Sequence, residues 1–491
     1  MNKADSISVL NEKIRTTLSN TAPFTYDVCI IGAGVAGCAM AWYLGNKGVK
    51  VLVIERDFSE PDKFIGELLQ PGGVMMLAEM GMEDVLEGFD AQTVEGYALF
   101  MGQQNFTIPY PAIDGKAYTG RGFRYGKFIM SLREKMAGVE TVSLIEGSAN
   151  TLNEDANGTI TGVNYQAKGA EAANIDAHLT IVCDGSFSKF RKELNQGDQK
   201  IKGFMVGLLL DNFDLPHPGH GHVILTGETP VLSYPVSSTK TRVLVDFPGE
   251  KSPKQGGKAY QQLVDISRNL PESMQAPYLA SIDKARIKAM PNMMVTAKPV
   301  IKPGAIMLGD ALNMRHPLTG GGMTVALTDV QLLGSLLHKI DNYKNTSQLN
   351  KAIETFYFQR HQASSTINIL ADALYEVMSS PDLKKACYDY LNRGHSYSKG
   401  PVSILSAVSR DRDLLLKEFF AVAMFGVGNL LKPFPGPKSL LRSYHLMQDA
   451  VHIISPLLMN EKPSLSTRMA LKVGELVFPE KHSKKSASLA G

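Results

Sequence analysis

Gly309-Asp310-Ala311-Leu312-Asn313-Met314-Arg315-His316-Pro317-Leu318-Thr319-Gly320-Gly321-Gly322-Met323-Thr324 follows a short apolar run and opens into an apolar helix. Its counterpart, Gly32-Ala33-Gly34-Val35-Ala36-Gly37, lies far upstream. A glycine-rich turn alone suits any dinucleotide. Two such turns, with more than half of the chain between them, suit one extended dinucleotide touched at both ends, and flavin adenine dinucleotide (FAD) fits that pattern.

Around the first turn, Tyr26 to Ile31 reads as a strand, Ala36 to Leu44 as a helix, and Val49 to Ile54 as a second strand closed by Glu55. This is a βαβ unit of the expected length. Gly32 permits the tight turn, Gly34 lets the backbone approach a pyrophosphate, and Gly37 allows helix and strand to pack closely. Val35 and Ala36 supply backbone amides at the helix N-terminus. Glu55 stands where a carboxylate accepts from the adenosine ribose hydroxyls. Around the second turn, Ala305 to Leu308 is a strand and Asp310 can bond the ribityl chain. The glycines let the backbone pass close to the ring, and a helix over Gly322 to Leu337 begins at Gly322 and Met323. Its positive end faces the pyrimidine edge, where negative charge develops on reduction. No nucleophile–base constellation is needed, because the flavin carries the hard chemistry. Asp184-Gly185-Ser186-Phe187-Ser188-Lys189-Phe190-Arg191 resembles the Asp-Gly motif of flavin-dependent monooxygenases. Standing alone, it reads better as an ordinary strand–turn–helix start capped by Asp184 or Ser186.

The 491 residues are 44% apolar, enough for more than one core, and the net charge of +3 gives no reason to expect a nucleic-acid partner. Cys29, Cys38, Cys183 and Cys387 show no CxxC pair and no metal spacing, and read as small hydrophobes in a reducing compartment. No signal-peptide core precedes the first strand, so the body is expected to face the cytosol. Between about Gly203 and Asp246, short alternating strands indicate an antiparallel sheet. From about Lys351 the pattern is helical. Phe419 to Leu431 and Leu440 to Met459 are apolar but interrupted, and read as helices lying in one leaflet or as a buried hairpin. The basic tail with Lys481, His482, Lys484 and Lys485 reads as solvated or as touching an anionic membrane. The expected division is a polar segment at 1–24 and an FAD-binding domain at 25–200 and 300–350. A β-sheet substrate domain at 201–299, helices at 351–480 and the tail at 481–491 complete it. The fold class is α/β: a Rossmann-like FAD domain of glutathione-reductase type, an inserted antiparallel sheet and C-terminal membrane-associated helices.

Ile54-Glu55-Arg56-Asp57, Gly66-Glu67-Leu68-Leu69-Gln70-Pro71-Gly72-Gly73, Thr241-Arg242-Val243-Leu244-Val245-Asp246 and Asn313 to Leu327 closely resemble the squalene epoxidase (squalene monooxygenase) family. The similarity runs from about Tyr26 to the C-terminal helices, including Phe419-Phe420-Ala421-Val422-Ala423. Aromatic hydroxylases of the wider class usually carry His where this chain has Asn313. The resemblance implies FAD contacts at Val35, Ala36, Glu55, Arg56, Lys63, Leu68, Arg133, Ala149, Asp310 and Met323. It places Tyr97 and Gln70 beside a squalene cavity, with Tyr97 important for activity. By composition alone Tyr97 is as readily core as functional, and Arg133 passes for a helix-surface charge. Lys63 stands where relatives commonly have Arg, a point charge in place of a bidentate fork. The implied reaction is epoxidation of squalene by O2 through a flavin hydroperoxide, with electrons from NADPH through a separate cytochrome reductase. The implied location is the cytosolic face of a membrane, that of the endoplasmic reticulum in a eukaryote, with the C-terminal helices as anchor. Two other readings share the fold: a flavoprotein reductase of prenyl chains, and a prenyl-binding escort that has lost its flavin. Glu55 and Asp310 argue against the escort. A flavin halogenase is weaker still, since Trp42 is the only tryptophan.

Overall fold

The computed structural model describes residues 9–14, 25–113, 115–225, 227, 229–249, 252, 258–284, 288–460 and 465–479. Most of the polar N-terminal segment and the whole basic tail lie outside the described residues. The dinucleotide turn sits at the end of β1 (Thr25–Ile31) and opens α1 (Val35–Gly45), which returns through β2 (Val51–Glu55). Further along come α2 (Pro71–Met80), the hairpin β3 (Gly96–Met101) and β4 (Gln104–Pro109), and α3 (Tyr125–Ala137). The meander β5 (Val142–Glu154), β6 (Ile160–Ala167) and β7 (Ala172–Val182) follows. Residues 142–146 of β5 pair parallel with β2, and its second half turns antiparallel onto β6. β7 pairs parallel with β1 at its far end. Val28, Cys29, Ile30, Leu52, Val53, Leu179 and Ile181 are buried in this sheet, as a parallel layer covered on both faces requires.

A second sheet is built from β8 (Gln199–Asp211), β9 (His220–Ile224), β10 (Val231–Ser237), β11 (Lys240–Pro248) and β12 (Lys288–Val295). The strand order is β12-β8-β11-β10-β9-β3-β4, so two of its seven strands come from 96–109 and one begins at Gln199, ahead of the expected 201. The register explains why this escaped the sequence. β3 and β9 pair parallel across a long separation, while the other neighbours pair antiparallel. Both faces of β3 are covered, so Gly96 to Phe100 shows no polar alternation. Ala98 and Phe100 face the sheet's own core with Val206, Leu208 and Tyr278. Tyr97 and Leu99 face the other way, onto Tyr388, Leu391 and Val402 of the C-terminal helices.

Strand β13 (Ala305–Met307) joins the first sheet beside β7 and leads through Gly309–Ala311 and Pro317–Thr319 to α4 (Gly322–Leu337). Helices α5 (Thr346–Ser379), α6 (Pro381–Asn392), α7 (Ser396–Leu405), α8 (Arg412–Leu430), α9 (Pro437–Asn460) and α10 (Leu465–Val477) follow. The charges that interrupt the apolar run of α9 pin it to α6: Arg442 pairs with Asp382 at 2.5 Å, and Asp449 accepts from Ser380 at 3.2 Å. Among the described residues no helix is long and apolar enough to cross a membrane.

The helical region locks onto the first domain's residues at one close backbone contact. The Gly72 amide donates to the Ser406 carbonyl at 3.0 Å, and a Cβ on Gly72 would lie 2.2 Å from the Ala407 carbonyl oxygen. Ala407 itself is buried with φ +56, a conformation that costs an L-residue about 1 kcal/mol and persists only where surroundings enforce it. Gly72→Ala is therefore expected to lose on the order of 1–3 kcal/mol, because neither backbone can yield. The control is Gly428→Ala, where a Cβ meets open space inside α8 and the change should be neutral or slightly stabilising. Thermal unfolding of both variants checks this; equal midpoints would remove the contact from the account.

Candidate active site

One cavity of about 590 Å³ runs from the dinucleotide turn, past the 317–323 loop, to the space between β3, β9 and helices α6 and α7. At the turn, Gly32 has φ +101, and a Cβ there would lie 2.5 Å from the Cys183 carbonyl oxygen. A Cβ on Gly37 would lie 1.9 Å from the Gly32 carbonyl oxygen, so Gly37 holds the α1–β1 approach and does not line the cavity. A Cβ on Gly34 or Gly322 would meet nothing within 4 Å. Both glycines border the cavity, and this open backbone fits a pyrophosphate at one end and a ring edge at the other.

The carboxylate of Glu55 accepts from the Ala33 amide at 2.6 Å and from the Asp57 amide at 3.2 Å, so it also braces the turn. Arg133 is buried: Nε donates to the Ala33 carbonyl at 3.1 Å, and Nη1 donates to that of Ser59 at 2.8 Å. It is no helix-surface charge. Arg56 and Lys63 line the exposed rim, with the Lys63 ammonium 5.8 Å from the Tyr125 ring centre. Asp310 lies on the opposite wall, where Ser186 Oγ donates to it at 3.4 Å. Arg191 ties the two motifs, donating to the Asp310 carbonyl at 3.0 Å and to that of Ser186 at 2.9 Å. Burial, the larger influence, raises the Asp184 carboxyl pKa, and one of its oxygens has no hydrogen-bond partner in the structure.

The loop between Asp310 and α4 is fixed by a buried polar network. Arg360 pairs with Asp329 at 2.9 Å and donates to Asn313 Oδ1 at 3.2 Å. Arg315 donates to the carbonyls of Asn313 and Gly321, at 3.0 and 3.3 Å. Burial pulls the Arg315 guanidinium down to about 10, still a cation at neutral pH. Where the cavity turns apolar, Gln70 Nε2 donates to the Thr319 carbonyl at 3.0 Å, and the hydroxyls of Tyr97 and Tyr110 donate to Gln70 Oε1 at 3.0 and 3.1 Å. Beyond them the walls are Leu99, Leu225, Cys387, Leu391, Val402 and Leu405.

The cavity thus brings together Gly32, Gly34, Val35, Ala36, Glu55, Arg56, Lys63, Leu68, Gln70, Tyr97, Arg133, Asp184, Asp310, Gly322 and Met323. Ala149 is not among its lining; it packs in the core on the meander side of the first sheet, with Ile54 and Val163. Sequence reasoning missed Tyr110 and the walls supplied by α6 and α7. Nothing in the local pattern of those helices separates a cavity wall from an ordinary core, and Tyr110, just past the end of β4, does not itself line the cavity.

A squalene epoxidase family model matches residues 176–443, and an FAD dependent oxidoreductase model matches residues 27–62. A squalene monooxygenase of Panax ginseng is 45% identical over 89% of this chain and 82% of its own length. A squalene epoxidase of Schizosaccharomyces pombe is 38% identical over 89% of this chain and 99% of its own. The chain belongs to the squalene epoxidase family. It is an FAD-dependent oxidoreductase. Its fold is shared with a probable FAD-dependent monooxygenase from Pseudomonas aeruginosa, at a TM-score of 0.61 and 18% identity, covering 73% of this chain and 97% of that one.

Gly34 and Gly37 should separate when each is replaced. Gly34→Ala leaves the fold intact but places a methyl in the cradle, and should cut FAD retention with little change in the melting temperature of the flavin-free protein. Gly37→Ala should destabilise the fold itself, by about 1–3 kcal/mol. Flavin absorbance after gel filtration and thermal melts of the flavin-free chain read the two effects; identical behaviour of the variants would sink the assignment.

Proposed function

We propose that this chain epoxidises a terminal double bond of squalene with O2, giving 2,3-oxidosqualene. The observation that carries the proposal is the continuity of the cavity: a polar dinucleotide cradle opens, past Gln70 and Tyr97, into an apolar slot able to receive a long hydrocarbon. Bound FAD supplies the oxygen-activating chemistry. The chain's own tasks are to hold it, exclude water and present one end of the alkene. For cofactor binding we assign Gly32, Gly34, Val35, Ala36, Glu55, Arg56, Lys63, Leu68, Arg133, Asp184, Asp310, Gly322 and Met323. Gly37 supports the turn from behind. Ala149, packed in the core away from the cavity, is not assigned a contact. Tyr97 and Gln70 border the reacting end. Tyr97 is a neutral donor throughout the physiological range, since burial raises its phenol well above the ordinary value. Electrons come from NADPH through a separate reductase.

The second sheet, with its 96–109 strands, acts as the substrate half of the molecule. Helices α8 to α10 rest on one leaflet of a membrane, the endoplasmic reticulum in a eukaryote, with the cradle on the cytosolic side. Met424, Phe434, Leu440, Leu441, Met469, Val473, Leu476 and Val477 support this, since each is more than half exposed.

The activity test is squalene, O2, NADPH and a reductase with the product identified by mass; absence of epoxide from an FAD-loaded protein would overturn the proposal. In that assay Tyr97→Phe should lower epoxide formation while FAD content and melting temperature stay near the parent's. Full activity would remove Tyr97 from the site. Replacing Leu440 and Leu441 with Asp should shift the protein from floated liposomes to the soluble fraction while FAD stays bound. Unchanged flotation would rule out α9 as a membrane contact.

A further inference from the structure

Tyr110 is not among the described residues that line the cavity, yet its hydroxyl donates to Gln70 Oε1 at 3.1 Å beside that of Tyr97. Its ring is buried and meets the Tyr97 ring edge-on, with centroids 5.2 Å apart and planes at 82°. A glutamine amide can sit either way round, and its partners decide which. The Thr319 carbonyl can only accept, so Nε2 faces it and Oε1 faces the two phenols. Oε1 can only accept, so both phenols donate toward it, and the two hydroxyls also interact with each other. Burial pushes the Tyr110 phenol well above its ordinary pKa, so it stays protonated and able to donate.

The other end of the amide meets the loop. Gly320 has φ +63, and a Cβ there would sit 3.1 Å from Gln70 Nε2, so the carboxamide packs directly against the glycine run that leads into α4. The chain of contacts is therefore Tyr110 to Gln70 to the Thr319 carbonyl to Gly320–Gly322.

We infer that Tyr110 is a positioning residue for the oxygen-transfer step, acting through Gln70 to hold the 319–322 backbone and to fix the direction in which Tyr97 donates. This rests on the reading of Gln70 and Tyr97 as the reacting end of the cavity. Tyr110 touches neither substrate nor flavin in this role. Its effect belongs to kcat and to the flavin's surroundings, not to capture of the hydrocarbon.

The test uses the full-length, FAD-loaded protein with squalene, NADPH and a reductase. Tyr110→Phe keeps the ring that fills this space. It should lower kcat about tenfold, the scale of one hydrogen bond lost in the transition state, and leave KM within about twofold. The visible flavin bands should shift while FAD content stays near the parent's. In a Gln70→Leu background the same substitution should add nothing, because its route of action is gone. Gln70→Glu retains acceptor oxygens for both phenols but cannot donate to Thr319, and should reproduce the kcat loss and the band shift. Parent-like kcat and spectrum in Tyr110→Phe would overturn the proposal, as would an additive loss in the Gln70→Leu background. If Tyr110→Phe does not fold, parent-like behaviour of Gln70→Glu overturns it and a reproduced loss supports it. Full activity in both Tyr97→Phe and Gln70→Leu would instead remove the underlying reading. An impaired Tyr97→Phe with an unchanged Tyr110→Phe would remove Tyr110 alone.

Discussion

A carboxylate shut away from water holds the two halves of this molecule together. Glu67 is fully buried, on the segment that leaves the dinucleotide domain, and receives Arg242 Nε of the second sheet at 2.6 Å. Arg124 approaches its other oxygen at 3.4 Å, and the Tyr125 amide donates to that oxygen at 3.3 Å. Arg242 in turn donates to the Leu208 carbonyl of the neighbouring strand. A buried pair of this kind adds little net stability over an apolar replacement, but removing one partner strands a charge and costs about 3–5 kcal/mol. Its value is in register. It allows one placement of residues 66–70 against the second sheet, and Gln70 lies three residues from the carboxylate.

Everything around Gln70 inherits that placement. With Gln70 fixed from below, its amide can reach the Thr319 carbonyl on one side and two phenols on the other. The 309–322 loop is held from behind by Arg315, Arg360 and Asp329, so it is clamped between a polar network and the Gln70 amide. Such preorganisation matters for a flavoenzyme handling a hydrocarbon. The substrate offers no charge or hydrogen bond by which to be oriented, so shape and a rigid rim must do it.

The C-terminal helices shape the cavity. Helices α6 and α7 close the cavity over Tyr97 and Leu99, and the Gly72–Ser406 contact brings the same region against the helix that starts beside Gln70. Helices with many exposed apolar residues and helices that shape the cavity are therefore mechanically continuous. The cavity's apolar end abuts a cluster in which Leu225 and Cys387 pack with Val427, Leu430 and Met447 of α8 and α9.

The cofactor half was legible in the sequence because its chemistry is local. Gly32, Gly34 and Gly37 each answer a backbone demand within a few residues, and Asp310 with Gly322 and Met323 repeat that logic at the second turn; the helix over Gly322–Leu337 was read to its ends. The βαβ unit, the alternating strands of 203–246 and the helical C-terminal region carry their periodicity in their own residues. The second sheet was not legible in the same way. Strands β3 and β4 join a sheet whose other members begin about a hundred residues later, and the two-sided burial of β3 erases the alternation that would have marked it, while β4 is a largely exposed edge strand. Arg133 looks like a surface charge until the fold supplies Ala33 and Ser59 as partners, and Glu67 meets Arg242 only across 175 residues of chain. Tyr110 shows only an aromatic just past the end of β4, and its meaning depends on a hydroxyl meeting an amide 40 residues away. Backbone geometry is written in short motifs. A cavity wall exists only once distant segments are packed against each other, and that packing is decided by burial summed over the whole chain.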